Sequence, residues 1–129
     1  MDSKVKPSIV ILGFSTNLGR YSNILFQKLR ESTIPFYLVN ERYQNLRSPK
    51  VYGSLAELPN SIHTLSIYVN PEISSSMQSQ ILLLAPQRVI FNPGSENLSL
   101  AKSLESKGIQ VLHACSIVLF QTGQLFPSH

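Results

Sequence analysis

Ser8-Ile9-Val10-Ile11-Leu12-Gly13-Phe14-Ser15-Thr16-Asn17-Leu18-Gly19-Arg20-Tyr21-Ser22 reads as a buried strand, a polar turn containing glycine, and the start of a helix. An apolar strand ending in glycine carries the backbone to the carboxyl edge of a parallel sheet, and the free N–H groups of the next helix then face an anion. The spacing departs from the dinucleotide fingerprint. Ser15 stands where G-x-G-x-x-G has its second glycine, and the next glycine after Gly13 is Gly19.

Outward from this stretch, apolar β-branched segments alternate with segments of helical spacing, the pattern of a parallel sheet covered on both faces. Strands are expected near residues 8–13, 36–40, 64–69, 88–91 and 110–114. Helices are expected over residues 20–32, from Pro71 with Ile73, Met77, Ile81 and Leu84 turned inward, and from Ser95 to Gly108. A helical turn after Ser54 ends at Pro59. Pro7, Pro35, Pro49, Pro59, Pro71, Pro86 and Pro93 all fall at boundaries between these elements. Right-handed crossovers then imply an α/β fold: a three-layer, doubly wound, parallel five-stranded sheet of order 3-2-1-4-5, with its switch point between the first and fourth strands.

The 129 residues fit one domain, 1–129, with residues 1–7 read as a mobile tail. With 43% hydrophobic and 14% charged residues, the chain is too apolar for disorder. Its longest apolar runs, such as Ile81-Leu82-Leu83-Leu84-Ala85, stop far short of the roughly 20 residues of a membrane span. The N-terminus does not resemble a secretory signal, so a cytoplasmic location is expected. The net charge of +4 permits an anionic partner, but the Lys and Arg residues are scattered. That pattern fits a small polyanionic molecule and not a nucleic acid or a membrane.

Catalytic equipment is thin. Asp2 is the single aspartate, and Glu31, Glu57, Glu72, Glu96 and Glu105 read as solvated, with Glu96 suited to a helix's first turn. His63, His113 and His129 lack metal-ligand spacing, and Cys115, the single cysteine, reads as a structural thiol. The apolar segment 116–126 packs on the body or offers a homodimer surface.

The polar strand ends should meet in one crevice. Ser15, Thr16 and Asn17 supply donors to a phosphate, while Arg20 and Ser22 stand where the first helix begins. An arginine there is unfavourable unless an anion compensates it. Asn40 ends the second strand, where dinucleotide-binding domains carry an acid for the ribose, and here the acid is displaced to Glu41. Arg42 could meet a 2′- or 3′-phosphate. Tyr68, Val69, Asn70 and Pro71, with Asn92, Pro93 and Gly94, complete the edge, and the two asparagines could equally cap helices.

Across almost the whole chain these residues resemble the small single-domain bacterial CoA-binding proteins, whose Rossmann-like fold is shared with the CoA-binding domain of the succinyl-CoA synthetase α subunit. The resemblance rests on residues 10–15 with Arg20 and Ser22, on Val39-Asn40, and on Val51-Tyr52-Gly53-Ser54 running to Pro59. It continues through Ile67-Tyr68-Val69-Asn70-Pro71, Phe91-Asn92-Pro93-Gly94-Ser95-Glu96-Asn97, and Gly108-Ile109-Gln110-Val111 leading to Cys115. It implies binding of coenzyme A or a related adenine nucleotide at the switch point; with the thin catalytic equipment and the histidine spacing above, the expectation is a non-catalytic or regulatory module that binds CoA or an acyl-CoA, without a metal. Gly13, Ser15, Arg20 and Ser22 would then hold phosphates and Asn40 the nucleoside, with residues 68–71 and Asn92 as a wall. The chain departs from the family at Phe14, whose bulk is expected to narrow the phosphate turn, and at Glu41, where the family often has proline. The alternatives are a small NAD(P)-binding oxidoreductase and an interaction protein that has lost its ligand.

Overall fold

A computed structural model describes residues 7–59 and 61–126. The expected mobile tail, apart from Pro7, lies outside the described residues, as do Asp2 and His129. Among the described residues six strands form one parallel sheet: β1 (Ile9–Leu12), β2 (Phe36–Val39), β3 (Val51–Tyr52), β4 (Thr64–Ile67), β5 (Arg88–Phe91) and β6 (Gln110–His113). Their order is β3-β2-β1-β4-β5-β6.

The expected five-stranded sheet is therefore corrected. The added strand, β3, is only two residues long and follows Pro49, too short to show any alternation. It takes the edge place beside β2, and the strand at Thr64 moves to the other side of β1, where Leu12 pairs with Ile67. The switch point thus lies between β1 and β4, the strand at Thr64, and not beside the strand at Arg88.

The helices are α1 (Tyr21–Leu29), α2 (Pro71–Ser76), α3 (Gln78–Leu84), α4 (Leu98–Ser106) and α5 (Ser116–Gln121). Strand side chains alternate between the two faces of the sheet. On one face Val10, Leu12, Leu65 and Ile67 pack with Ile81 of α3 and Leu100 and Leu104 of α4. On the other Ile9, Ile11 and Leu38 pack with Leu25 and Leu29 of α1 and Ile117 of α5. Three layers result, as the pattern required. The C-terminal segment packs on its own body, with Ile117 and Leu125 buried.

The helix expected from Pro71 breaks at Met77, whose backbone leaves the helical range at φ −102° and ψ 7°. The preceding serines compete for the backbone: Ser74 Oγ donates to the Pro71 carbonyl and Ser76 Oγ to that of Ile73. The break leaves Ile73 46% exposed and not inward, while Ile81 is fully buried. Helix α4 starts later than expected because Asn97 is its cap, its Oδ1 accepting from the Leu100 amide at 3.0 Å. Glu96 therefore precedes the helix, and its carboxylate accepts from the Gly94 amide.

Candidate ligand-binding site

Two crevices open at the carboxyl edge of the sheet, one on each side of Gly13 and Asn40, which line both. The larger, 640 Å³, lies on the α2–α3 side. Leu12, Val39 and Val69 form its apolar base, and Ile73, Met77 and Gln80 one wall. Glu41, Gln44, Gly53, Ser54 and Glu57 form the opposite wall. The smaller, 380 Å³, lies over the start of α1, between Ser15, Arg20 and Ser22 on one side and Arg42 and Tyr43 on the other. Tyr68, Asn70, Pro93 and Gly94 close it.

Gly13 has φ +94°, and a Cβ there would stand 2.9 Å from Val69 Cγ1, so the turn both requires glycine and seats β1 against the end of β4. The turn is held to β2 by the Gly13 amide donating to the Val39 carbonyl and by Asn40 Nδ2 donating to the Phe14 carbonyl, at 2.9 and 2.7 Å. Asn40 Oδ1 accepts from the Arg42 amide at 2.9 Å and caps the short 3-10 helix Glu41–Tyr43. Asn40, expected to face a nucleoside, is thus first a clamp on the turn.

Phe14 is 1% exposed, which corrects the expectation that it narrows the phosphate turn. Its ring points into the core and meets Phe26 and Tyr43 edge-on at 5.3 and 6.1 Å. The bulk that threatened the turn lies beneath it. Asn17 also works within the turn, its Oδ1 accepting from the Gly19 amide and its own amide donating to Ser15 Oγ. The Tyr43 hydroxyl stands beside Thr16 and then Ser15, whose hydroxyls hold the phenol below its ordinary pKa.

Helix α1 has no side-chain cap, whereas Asn70 and Asn97 cap α2 and α4. Among the described residues no acceptor meets the amides of Tyr21 and Ser22. Arg20, the residue preceding α1, is exposed and has no carboxylate partner among the described residues. An uncapped helix start, an unmatched guanidinium and Arg42 stacked 5.8 Å from the Tyr43 ring centroid face one crevice. That arrangement suits an anion.

Asn92 does not belong to this wall. It is 1% exposed and fully engaged, its Nδ2 donating to Ser66 Oγ and the Ile67 carbonyl, its Oδ1 accepting from the Ser116 amide. The Tyr68 hydroxyl is buried without a hydrogen-bond partner among the described residues, and burial together with nearby Cys115 pushes the phenol well above its ordinary range. Val69 lines the larger crevice, and Pro93 and Gly94 the smaller, while Pro71 is exposed but lines neither. The larger crevice also uses Gln44, Gly53, Ser54, Glu57, Met77 and Gln80, none of which the sequence assigned to a ligand site. A glycine directly after β3 was the available signal, hidden because β3 itself was not recognised.

Among the described residues, no His, Cys or Lys lines either crevice. No group of three His, Cys, Asp or Glu residues able to hold a metal occurs among the described residues, and no helix there is long and apolar enough to cross a membrane.

No curated protein sequence matches the chain significantly. Among solved structures, one of an uncharacterised protein is 29% identical, with a TM-score of 0.83, covering 94% of this chain and 99% of its own. A Thermus thermophilus protein is 25% identical, with a TM-score of 0.81 and coverages of 92% and 90%. A dinucleotide-forming acetyl-coenzyme A synthetase from Candidatus Korarchaeum cryptofilum, solved with phosphate and ADP, shares the fold at 16% identity and a TM-score of 0.70. The match covers 84% of this chain and 25% of the synthetase. The model of the CoA binding domain family matches residues 7–121, and the chain belongs to that family.

Proposed function

We propose that the protein binds coenzyme A or an acyl-CoA at the carboxyl edge of its sheet and acts as a non-catalytic or regulatory module. The observation that carries this reading is the pairing of two unlike crevices across Gly13 and Asn40. One is cationic and holds the open start of α1; the other is larger, has an apolar base and is ringed by amides, hydroxyls and carboxylates. A ligand with phosphates at one end of a nucleoside fills both: Arg20, Arg42 and the Tyr21 and Ser22 amides face the phosphates. Val39, Val69 and Met77 receive the adenine, whose ring edge finds hydrogen-bonding partners in Gln44 and Ser54.

Glu41 at the end of β2 motivates the second reading, a small NAD(P)-dependent oxidoreductase. Isothermal titration with CoA, acetyl-CoA, NAD and NADP decides between them. Saturable heat with CoA or its thioester is expected. Heat with a nicotinamide cofactor and none with CoA overturns the reading in favour of the oxidoreductase, and silence from all four points to an interaction protein.

A further inference from the structure

Among the described residues, the carboxylates that line the crevices are on one side; Glu96, which accepts from the Gly94 amide, lines neither. Glu41 and Glu57 line the larger crevice, which no Lys or Arg lines, whereas Arg20 and Arg42 line the smaller one. The two acids differ in their engagement. Glu57 is held locally, its Oε1 accepting from the Gly53 amide and its Oε2 from Ser54 Oγ at 3.4 and 3.3 Å. Glu41 is exposed and has neither a hydrogen-bonding side-chain partner nor a cation among the described residues. The neighbouring Arg42 does not neutralise it: the guanidinium lies over the Tyr43 ring and faces the other crevice. Asn40, which lines both crevices, is fixed by its bonds to Phe14 and Arg42 and cannot swing a donor toward the acid.

A free carboxylate at the end of the second strand has a defined chemistry toward a nucleoside. It accepts hydrogen bonds from ribose hydroxyls and repels a phosphate on the same ring. Val39, Val69, Ile73 and Met77, which line the same crevice, reduce the water available there to screen that repulsion. Resting on the CoA-type reading above, we propose that Glu41 is a specificity-determining residue. It favours ligands whose ribose keeps a free 3′-hydroxyl, as in dephospho-CoA, over those with a 3′-phosphate, as in CoA.

The test is a calorimetric comparison of dephospho-CoA and CoA on the wild-type chain, on Glu41→Gln and on Arg42→Gln, with circular dichroism as the fold control. Dephospho-CoA is expected to bind roughly tenfold more tightly than CoA at low salt, the size of effect that an acid near a phosphate dianion produces, with the margin shrinking as salt rises. In Glu41→Gln the margin should collapse to about twofold or less, from both weaker dephospho-CoA and stronger CoA binding. Arg42→Gln should weaken the two ligands alike. CoA binding as well as or better than dephospho-CoA, a preference that survives Glu41→Gln, or a loss in Arg42→Gln confined to CoA each overturns the inference while leaving the CoA-type reading intact. Failure of both ligands to bind the wild-type chain overturns that reading and the inference with it.

Discussion

Arg88 and Arg20 stand at opposite edges of the same sheet, and neither has a carboxylate partner among the described residues. Arg88 opens β5 at the amino edge and is 8% exposed. Its Nε donates to Thr64 Oγ1 at 3.0 Å, its Nη2 to the Leu125 carbonyl at 2.8 Å, and Phe126 covers it with its ring centroid at 5.0 Å. Burial lowers its pKa, yet neutral acceptors answer the charge. Arg20 follows β1 at the carboxyl edge, exposed, with no such acceptors, beside an uncapped helix. An arginine without an acid therefore does not in itself mark a site. What separates the two edges is whether the protein's own neutral groups already satisfy the cation: they do so for Arg88 and not, among the described residues, for Arg20.

The sharpest way to break this comparison is Arg88→Ala. The change removes two hydrogen bonds to a buried cation and opens a void beneath Phe126, so unfolding free energy should fall by about 3 kcal/mol in denaturant titrations. Affinity of the folded protein for CoA should stay within about twofold. A loss of affinity comparable to that of an edge residue would show that the two edges are not separate in role.

Arg20→Ala should do the reverse at smaller cost. Affinity for CoA is expected to fall about tenfold by calorimetry, the loss of one charge-assisted contact, while the melting temperature without ligand shifts by about 1 °C or less. If affinity is unaffected, Arg20 is a solvated arginine and the phosphate end of the site lies elsewhere.

The smallest effect sharpens the amino edge by pH. His63 bonds through Nδ1 to Thr64 Oγ1 at 2.8 Å, meets the Phe126 ring edge-on, and has its pKa lowered by burial and then by Arg88. Its charged form is thus disfavoured in the folded state. The stabilising contribution is complete above the unfolded value of about 6.5 and is lost as pH falls through the lower folded value. Melting curves should show a decline of about 1–2 °C from this residue on acidification below about pH 6, discounted for its partial exposure, and His63→Gln should remove that component. An unchanged slope in the variant would assign the acid sensitivity to other groups.

Particular residues show how legible the molecule was. Pro35, Pro71 and Gly108 marked boundaries that the structure keeps: proline fixes φ and removes a donor, and Gly108 takes the positive φ that ends α4. Val51-Tyr52 did not read as a strand because two residues carry no period; its parallel pairing with Leu38-Val39 supplies the evidence instead. Missing it misplaced the strand at Thr64, and with it the partner of β1 at the switch point. Within the site, Gly13 and Arg20 were legible from position alone. Gln44, Gly53, Met77 and Gln80 were not, because they reach the crevice from the short 3-10 helix after β2, from the end of the unrecognised β3 and from the break between α2 and α3.

The sequence by itself determined the alternation of strand and helix, the glycine that ends β1 and the absence of a dense basic stripe, because periodicity, backbone freedom and charge are properties of short segments. Only the tertiary structure decided that Phe14 turns beneath the turn, that Asn92 belongs to the core and that Glu41 and Arg42 face different crevices. Those outcomes depend on which side of the sheet a side chain meets and which partners await it there, and that is settled by strand order and packing across the whole molecule.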